Sequence, residues 1–216
     1  IVKWEDKSLN NNDAAFAYGT SPVLKLSQIN GLNAVRFSAD GVLRSALSST
    51  MSGNSVTAFM MMLPRTTTQT DGRFLSILNS SSTNDSSGAN SMSPFYKDGS
   101  TTNIRQRYNN TAARTLSTAI NGSWSMFSSR ITSLYVERLI RNSTPDNYNE
   151  DISTVNFNFN EIFVGGTRNS SAGYRYADAD IAEVVVYNSA LTCQQIQEIE
   201  NDFSQRYSIS IAQKSC

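Results

Sequence analysis

The chain contains no histidine among its 216 residues. This absence excludes Ser-His-Asp and Cys-His catalysis, histidine-ligated zinc and acid–base chemistry by imidazole. Glycoside hydrolysis needs only two carboxylates, but Glu150 and Asp151 are adjacent and would point to opposite faces of a strand. The segment Asp178-x-Asp180-x-x-Glu183 also lacks the spacing that places three carboxylates on one face. The sequence therefore predicts a protein that is not an enzyme and has no catalytic residues.

Net charge and long apolar runs are missing as well. The 18 basic and 18 acidic residues cancel, and no basic run is present, so nothing attracts nucleic acid or an anionic membrane. The longest apolar stretch, Val56 to Pro64, is interrupted by Thr57 and is too short to span a bilayer. We predict no binding to nucleic acid and no membrane insertion, and we interpret this stretch as a central strand of a sheet.

Lysine is scarce, with five residues, whereas serine and threonine together number 51 and asparagine 22. A polar, uncharged surface is more usual outside cells than in the cytosol, which predicts a secreted, extracellular or cell-surface protein. The chain begins at Ile1 rather than methionine, which predicts a processed product or a fragment. Six N-x-S/T sequons occur, about the number expected by chance. Those in predicted loops are the candidate glycan carriers in a secreting eukaryote: Asn79, Asn84, Asn109, Asn142 and Asn169.

Cysteine is limited to Cys193 and Cys216. A disulfide between them would tie the C-terminal tail back over the preceding helix, and the chain-entropy model assigns a loop of this length about 3 kcal/mol. We predict this disulfide. The alternatives are two free thiols, or a bond from Cys216 to a partner chain.

Short apolar and β-branched runs recur about every ten residues, separated by serine, asparagine and glycine. This spacing is typical of an antiparallel β-sandwich, and the chain is long enough to bury one core. We predict one all-β domain over residues 1–216 with one short C-terminal helix. The predicted strands are 22–27, 33–38, 41–46, 55–63, 73–78, 93–97, 103–108, 113–119, 124–131, 133–140, 152–158, 161–165, 179–187 and 207–212.

The C-terminal part of the chain has the strongest local pattern. The run from Ile181 to Tyr187 is β-branched and apolar, which is typical of a mostly buried strand. Thr192 then predicts the N-cap of a helix, with Gln195 completing a capping box. An apolar stripe follows on the predicted helix at Ile196, Ile199 and Phe203.

This ending resembles the laminin-G-like branch of the concanavalin A-like lectin/glucanase superfamily, in which D-I-A-E-V-x-x-Y-N-x-A-L-T precedes a helix and a final strand. Residues 4–14 (W-E-D-K-S-L-N-N-N-D-A) and 30–37 (N-G-L-N-A-V-R-F) are similar to early segments of that family. Leu9 and Asn11 stand where the family usually has glycine, so that turn must differ. The resemblance implies a concanavalin A-like jelly roll that is extracellular and more often binds ligands than catalyses a reaction.

The resemblance also implies a missing edge strand. Family members usually carry one more strand before the stretch that begins here at Ile1, and a sandwich without it exposes unpaired backbone groups. A neighbouring copy would complete this N-terminal edge by adding a strand to the sheet. The alternative is that the sheet ends there.

Two kinds of ligand site follow from side-chain chemistry. Sugar recognition uses exposed aromatic rings beside hydrogen-bonding groups. The candidates near predicted loops are Tyr96, Tyr108, Tyr174, Arg175 and Tyr176, and edge packing is the alternative for each aromatic ring. Asp178 and Asp180 share a strand face and would supply oxygen ligands to Ca²⁺, or would cap loop amides instead. No other cofactor is predicted.

Together these patterns predict a non-catalytic extracellular module for recognition or adhesion, with a glycan or a surface glycoprotein as its partner. The alternative function is structural. In that reading the sandwich is a subunit of an extracellular filament, appendage or viral fibre and is completed by a neighbouring subunit's strand.

Overall fold

A computed structural model describes residues 1–38, 40–65, 71–82, 90–97, 103–108, 114–119, 122–132, 135–142, 144–145, 150–151, 156–169 and 173–212. Within these ranges the chain forms β-strands and one α-helix. They are β1 (Lys3–Trp4), β2 (Ala14–Tyr18), β3 (Val23–Ile29), β4 (Leu32–Phe37), β5 (Val42–Gly53), β6 (Val56–Pro64), β7 (Arg73–Leu78), β8 (Ser91–Tyr96), β9 (Asn103–Tyr108), β10 (Arg114–Ala119), β11 (Ser125–Ile131), β12 (Tyr135–Arg141), β13 (Thr144–Pro145), β14 (Glu150–Asp151), β15 (Phe157–Val164), β16 (Gly166–Asn169), β17 (Gly173–Tyr176), β18 (Ala179–Tyr187) and α1 (Cys193–Tyr207).

The strands form two large antiparallel sheets that pack face to face. Sheet A has the order β1-β2-β5-β15-β7-β8-β9-β10, and sheet B has the order β13-β12-β11-β6-β18-β4-β3, with β14 also pairing with β12. A two-stranded hairpin, β16–β17, forms a third sheet. The predicted all-β sandwich with a C-terminal helix is confirmed.

Alternating residues from both sheets fill the space between them. On β6, Ala58, Met60 and Met62 point into this core, whereas Phe59 and Met61 belong to a second cluster on the other face of sheet B. All five side chains are fully buried, because α1 covers the second face. The strand is therefore central, as its nearly continuous apolar sequence predicts.

Helix α1 begins at the predicted residue. The Thr192 hydroxyl accepts a hydrogen bond from the Gln195 amide at 3.3 Å, and the Gln195 side chain accepts one from the Thr192 amide at 2.8 Å. The capping box is thus confirmed. Ile196, Phe203 and Tyr207 are buried against sheet B. Among the residues described, no helix is long and apolar enough to cross a membrane.

The strand predicted at 207–212 is wrong. Tyr207 is the last residue of α1, and Ser208 ends the helix in the left-handed conformation with a φ of 49°. Residues 209–212 form no strand. Ile209 and Ile211 pack into the apolar cluster between α1 and sheet B instead, so their hydrophobicity reflects contact with the helix rather than strand pairing.

Other strands differ from the predictions in detail. Six short strands among the described residues have no counterpart among the predicted ones: β1, β2, β13, β14, β16 and β17. The end of the strand predicted at 152–158 and the strand predicted at 161–165 meet in one strand, β15, whose register against β5 shifts between Phe159 and Glu161. Residues 152–155 of the first prediction lie outside the described residues. Such a bulge lets strand pairing continue past an irregular residue. The sequence pattern alone predicts two separate strands at this irregularity.

Candidate functional site

The face of sheet A that points away from the core carries a patch of aromatic and charged side chains. Val42 and Arg44 of β5, and Glu161 and Phe163 of β15, occupy alternate positions whose intervening residues point into the core. Arg44 lies opposite Phe163 in the antiparallel register. The four outward side chains therefore lie side by side on neighbouring strands.

The hairpin β16–β17 packs onto this face. Val42, Leu78 and Phe163 form a buried cluster, and Tyr176 of β17 packs against it. The chain enters the hairpin through Gly165, whose φ is 76° and where a Cβ atom would lie 1.9 Å from a ring carbon of the core. Only glycine fits this turn, which fixes where the hairpin meets the sheet.

Tyr18 and Tyr176 form the aromatic part of the patch. Their rings are nearly parallel, with an interplanar angle of 13° and centroids 6.4 Å apart. Tyr18 lies opposite Val42 in the ladder between β2 and β5, and 50% of its surface is exposed. Tyr176 is half-buried. The pair is a platform with apolar ring faces and polar hydroxyl groups, a combination that suits amphipathic ligands.

Glu161 holds two arginines beside this platform. Its carboxylate accepts hydrogen bonds from Arg44 and from Nη2 of Arg168, the latter at 2.5 Å. The Glu161 side chain is 2% exposed, whereas Arg44 is 46% exposed and Arg168 is 27% exposed. Two guanidinium groups on one carboxylate leave the patch with an excess of positive charge at its surface.

The two arginines differ in how firmly they are held. Arg168 also donates to the carbonyl oxygens of Asn79 at 3.1 Å and Ser80 at 3.2 Å, so its guanidinium is fixed on several sides. In the described ranges, Arg44 donates only to Glu161. Because the Arg44 side chain is also the more exposed, its remaining N–H groups are accessible to a ligand.

The predicted ligand residues fall into different places. Tyr176 lies in the patch, as described above. Arg175 precedes it on β17 and is half-buried, and strand alternation directs it to the opposite face of the hairpin. The side chain of Tyr174 lies outside the part of the chain that the structure describes, so its role as a ligand contact stays a prediction.

Tyr96 and Tyr108 are corrections to the sequence prediction, because neither ring is exposed. Tyr96 is 0% exposed, and the guanidinium of Arg73 lies 4.4 Å from its ring centroid. Tyr108 is 1% exposed and packs edge-on against Phe157 and Phe159 in the core. A ring without accessible surface cannot serve as a platform for a sugar.

Both aspartates of the predicted calcium site have arginine partners. Asp180 is almost fully buried and accepts two hydrogen bonds from Arg36, each at 2.7 Å. Asp178 forms an ion pair with Arg65 at 3.2 Å. In the described ranges, no group of three or more His, Cys, Asp or Glu side chains could hold a metal ion. Calcium binding here stays a prediction, and the arginine partners favour a structural role for both carboxylates.

The predicted modification sites are placed only in part. The side-chain nitrogen of Asn79, to which a glycan would attach, donates to the carbonyl of Asn158 at 2.7 Å, and Asn142 is half-buried with its side-chain oxygen bonded to the Met126 amide at 2.8 Å. Cys193 is not a free thiol. The other residues named for glycans and for the disulfide, or their side chains, lie outside the described part, and these assignments stay predictions: Asn84, Asn109, Asn169 and Cys216.

Besides the buried Val42 and Phe163, the sequence prediction did not include four members of the patch: Tyr18, Arg44, Glu161 and Arg168. Three of them come together only through the register of β2, β5 and β15, which the local pattern does not contain. Of these residues, only Glu161 has a sequence context that could have indicated its role. It directly precedes the apolar residues 162–164 within a predicted strand, and a buried glutamate needs a cationic partner.

Comparison with known proteins shows likeness in fold only. No family model and no curated protein matches the chain. A mutant GH54 α-L-arabinofuranosidase soaked with 4-nitrophenyl α-L-arabinofuranoside matches with a TM-score of 0.70 and 14% identity, over 96% of this chain and 51% of that chain. The binding domain of botulinum neurotoxin serotype G matches with a TM-score of 0.64 and 11% identity, over 93% of this chain and 48% of that chain.

A third match is the Trypanosoma rangeli sialidase in complex with 2,3-difluoro-KDN, with a TM-score of 0.63 and 13% identity, over 94% of this chain and 31% of that chain. This chain thus spans about half, or less, of the proteins that it resembles. At such low identity the likeness shows a jelly-roll-like β-sandwich and does not transfer an activity.

Proposed function

We propose that this chain is a non-catalytic glycan-binding module of the concanavalin A-like, laminin-G-like kind, and that the glycan binds the outer face of sheet A. The observation that carries this proposal is the nearly parallel pair formed by the exposed Tyr18 and the half-buried Tyr176, beside the guanidinium of Arg44. Its partner is a free glycan or a surface glycoprotein. An extracellular or cell-surface location belongs to the same proposal.

The chemistry of the patch suits a sugar. The apolar C–H face of a pyranose ring packs on an aromatic ring, and hydroxyl groups at its rim take hydrogen bonds from fixed polar groups. The ring faces belong to Tyr18 and Tyr176, and the fixed donor is Arg44, which Glu161 orients. Because positive charge exceeds negative charge at this surface, a glycan that carries a carboxylate is preferred over a neutral one.

The same geometry favours binding over catalysis. Glu161 accepts hydrogen bonds from arginines on both of its oxygens, so neither oxygen is free to protonate a leaving group or attack an anomeric carbon. Within the described ranges, Glu161 contacts guanidinium groups rather than a second carboxylate. The likeness to a glycosidase and a sialidase therefore supports the β-sandwich fold alone. The non-catalytic role is our proposal.

Glycan-array binding with matched variants tests this proposal. We expect Tyr18→Ala and Tyr176→Ala each to weaken binding about tenfold or more, since about 1.4 kcal/mol is a factor of ten. The control is Phe16→Ala, which removes a neighbouring ring of β2 that is 37% exposed. Arg44→Gln should remove the preference for acidic glycans, whereas Arg175→Gln on the other face of the hairpin should not. Absence of binding to any glycan, or full binding by both tyrosine variants, would overturn the proposal.

The structural-subunit function is the second candidate, and a different observation favours it. Residues 182–187, two thirds of β18, have no partner strand on the β4 side within the described part of the chain. A subunit that assembles by strand exchange would present such an edge.

A further inference from the structure

The outer face of sheet A continues past Glu161 into a stretch of uncharged polar side chains. On β15, Phe157 and Phe159 belong to the core, so strand alternation directs Asn158 and Asn160 outward. The register shift between Phe159 and Glu161 places Asn160 and Glu161 on the same face although they are adjacent. Asn158 is exposed and Asn160 is half-buried. The patch around Glu161 therefore has a polar neighbour on the same strand.

The turn at residues 79–82 runs beside this stretch and is hydrogen-bonded to it. The side-chain nitrogen of Asn79 donates to the carbonyl of Asn158 at 2.7 Å. The Ser80 amide donates to the side-chain oxygen of Asn160 at 2.7 Å, and the side-chain nitrogen of Asn160 donates to Oγ of Ser80 at 3.0 Å. Because both ends of the Asn160 amide are bonded, its orientation on the surface is fixed by the fold.

Arg168 joins this turn to the patch. Its guanidinium donates to the carbonyl oxygens of Asn79 at 3.1 Å and Ser80 at 3.2 Å, and to Glu161 at 2.5 Å. Glu161 in turn accepts a hydrogen bond from Arg44. The polar stretch and the patch are therefore parts of one continuous hydrogen-bonded surface.

The neighbouring strand β5 adds a hydroxyl group to the polar stretch. Ser52 lies directly opposite Asn158 in the antiparallel register, and directly opposed residues carry their side chains on the same face of a sheet. Both residues are exposed. A hydroxyl group and an amide thus lie side by side on the surface, next to the fixed amide of Asn160.

These groups suit the hydroxyl groups of a sugar that carries no charge. An asparagine amide has two N–H donors and an oxygen with two lone pairs, so Asn160 keeps one donor and one lone pair after its bonds to Ser80. A group that is already ordered loses little conformational freedom when it binds a ligand. Arg44, in contrast, favours a carboxylate. The outer face thus presents uncharged hydrogen-bonding groups beside a cationic one.

The spacing along β15 determines how much ligand these two parts can hold. Tyr176, which stacks on Tyr18, packs against Phe163. From Asn158 to Phe163 the strand advances by five residues, a distance of about 17 Å at about 3.4 Å per residue. This distance exceeds the length of a single sugar ring. A ligand that contacts both the aromatic platform and the polar stretch must contain several linked sugars.

We propose, on the basis of the glycan-binding function proposed for this face, that Asn158, Asn160 and Ser52 form a second subsite for a neutral sugar. The ligand is then a linear oligosaccharide in which an acidic sugar contacts Arg44 and a neutral sugar linked to it contacts the amides. A single acidic sugar occupies only one of the two subsites, so it binds more weakly than the oligosaccharide.

Isothermal titration calorimetry with ligands of two lengths tests the second subsite. The probes are the methyl glycosides of glucuronic acid and sialic acid, and linear oligosaccharides in which the same acids are linked to neutral sugars. We expect the best oligosaccharide to bind at least about tenfold more tightly than its glycoside, the effect of one or two hydrogen bonds. Asn158→Ala and Ser52→Ala should each reduce this ratio of affinities about fivefold, the effect of one hydrogen bond.

The backbone of Asn158, rather than its side chain, holds the turn: its carbonyl accepts from Asn79, and its amide donates to the side chain of Asn90 at 3.0 Å. Asn158→Ala therefore removes the surface amide and keeps these bonds. The matched control is Asn188→Ala, which alters an exposed asparagine directly after β18 and should keep the ratio of affinities.

A ratio that falls in both subsite variants and is kept in the control supports the second subsite. Equal affinity for the glycoside and the oligosaccharides, or a ratio that both variants keep, overturns it while glycan binding itself stands. A loss that is the same for both ligand lengths would assign Asn158 and Ser52 to the structure of the sheet alone and would also overturn it. Absence of binding by every probe would overturn the glycan-binding function together with this subsite.

Discussion

The ion pair between Arg36 and Asp180 is the sharpest test of how this sandwich is held together. The two residues lie opposite each other on β4 and β18. The Asp180 side chain is 4% exposed and takes both of its hydrogen bonds from Arg36, at 2.7 Å each. The hydrogen bond to Asp180 raises the pKa of Arg36. Removal of Arg36 would leave a carboxylate that is buried and unpaired.

We expect Arg36→Leu to lower the free energy of unfolding by about 3 kcal/mol, because breaking a buried pair costs about 3–5 kcal/mol. The low end applies since Arg36 is 31% exposed and water can reach its position. For a chain of this length the loss corresponds to a fall in Tm of about 6–12 °C. Urea unfolding monitored by tryptophan fluorescence and circular dichroism would measure it.

The double variant Arg36→Leu with Asp180→Leu is the informative control. Replacement of both partners by apolar residues removes the unpaired charge and should restore most of the lost stability. A loss below 1 kcal/mol in the single variant, or a double variant no more stable than the single one, would refute this reasoning. The arginine partners of both aspartates lead us to expect no effect of calcium on the wild-type Tm. A calcium-dependent rise in Tm that Asp180→Leu removes would instead support the predicted metal site.

Two further predictions concern α1. Thr192→Ala should cost about 1 kcal/mol in urea unfolding because it removes the side-chain half of the capping box, whereas Gln194→Ala at an exposed neighbouring position should cost much less. Burial, together with the hydrogen bond to Glu183, raises the pKa of Tyr207 above its usual value near 10. The folded state therefore resists ionisation of this phenol, and its contribution to stability is complete below about pH 10 and declines at higher pH. Tyr207→Phe should show a smaller alkaline loss of stability than wild type, and equal losses in the two proteins would contradict this assignment.

Much of the fold could be predicted because its signals are local. The capping box needs only Thr192 and Gln195, and a nearly continuous apolar run predicts the central strand β6. The prediction of a strand after Tyr207 was wrong because it used the same kind of local signal. The alternating apolar residues from Ile209 fit a strand, but in the structure they pack against α1 instead.

The candidate patch could be predicted only in part because it depends on long-range register. Tyr176 was found from its exposed-loop sequence, but Tyr18 joins it through the pairing of β2 with β5, and Glu161 meets Arg44 through the pairing of β5 with β15. The same limit explains the error at Tyr108, whose strand was predicted with the observed bounds. The bounds of a strand do not determine which of its two faces points into the core.

The segment 182–187 shows a third kind of disagreement. Its sequence was interpreted as mostly buried, and Ile181 is buried as expected, but the residues after it are half-buried. The strand pattern was right, but in the described part of the chain no strand pairs with the β4 side of these residues. An apolar strand sequence does not tell whether a neighbouring strand covers it, because that depends on pairing with residues distant in the chain.

Titration of ¹⁵N-labelled protein with sialylated, uronic-acid-containing and neutral oligosaccharides is the most direct test of the glycan-binding account. The account predicts saturable amide shifts confined to β2, β5, β15 and the β16–β17 hairpin around Tyr18 and Tyr176, with the acidic oligosaccharides binding more tightly than the neutral ones. No saturable shift with any oligosaccharide, or shifts centred on residues outside this patch, would contradict it.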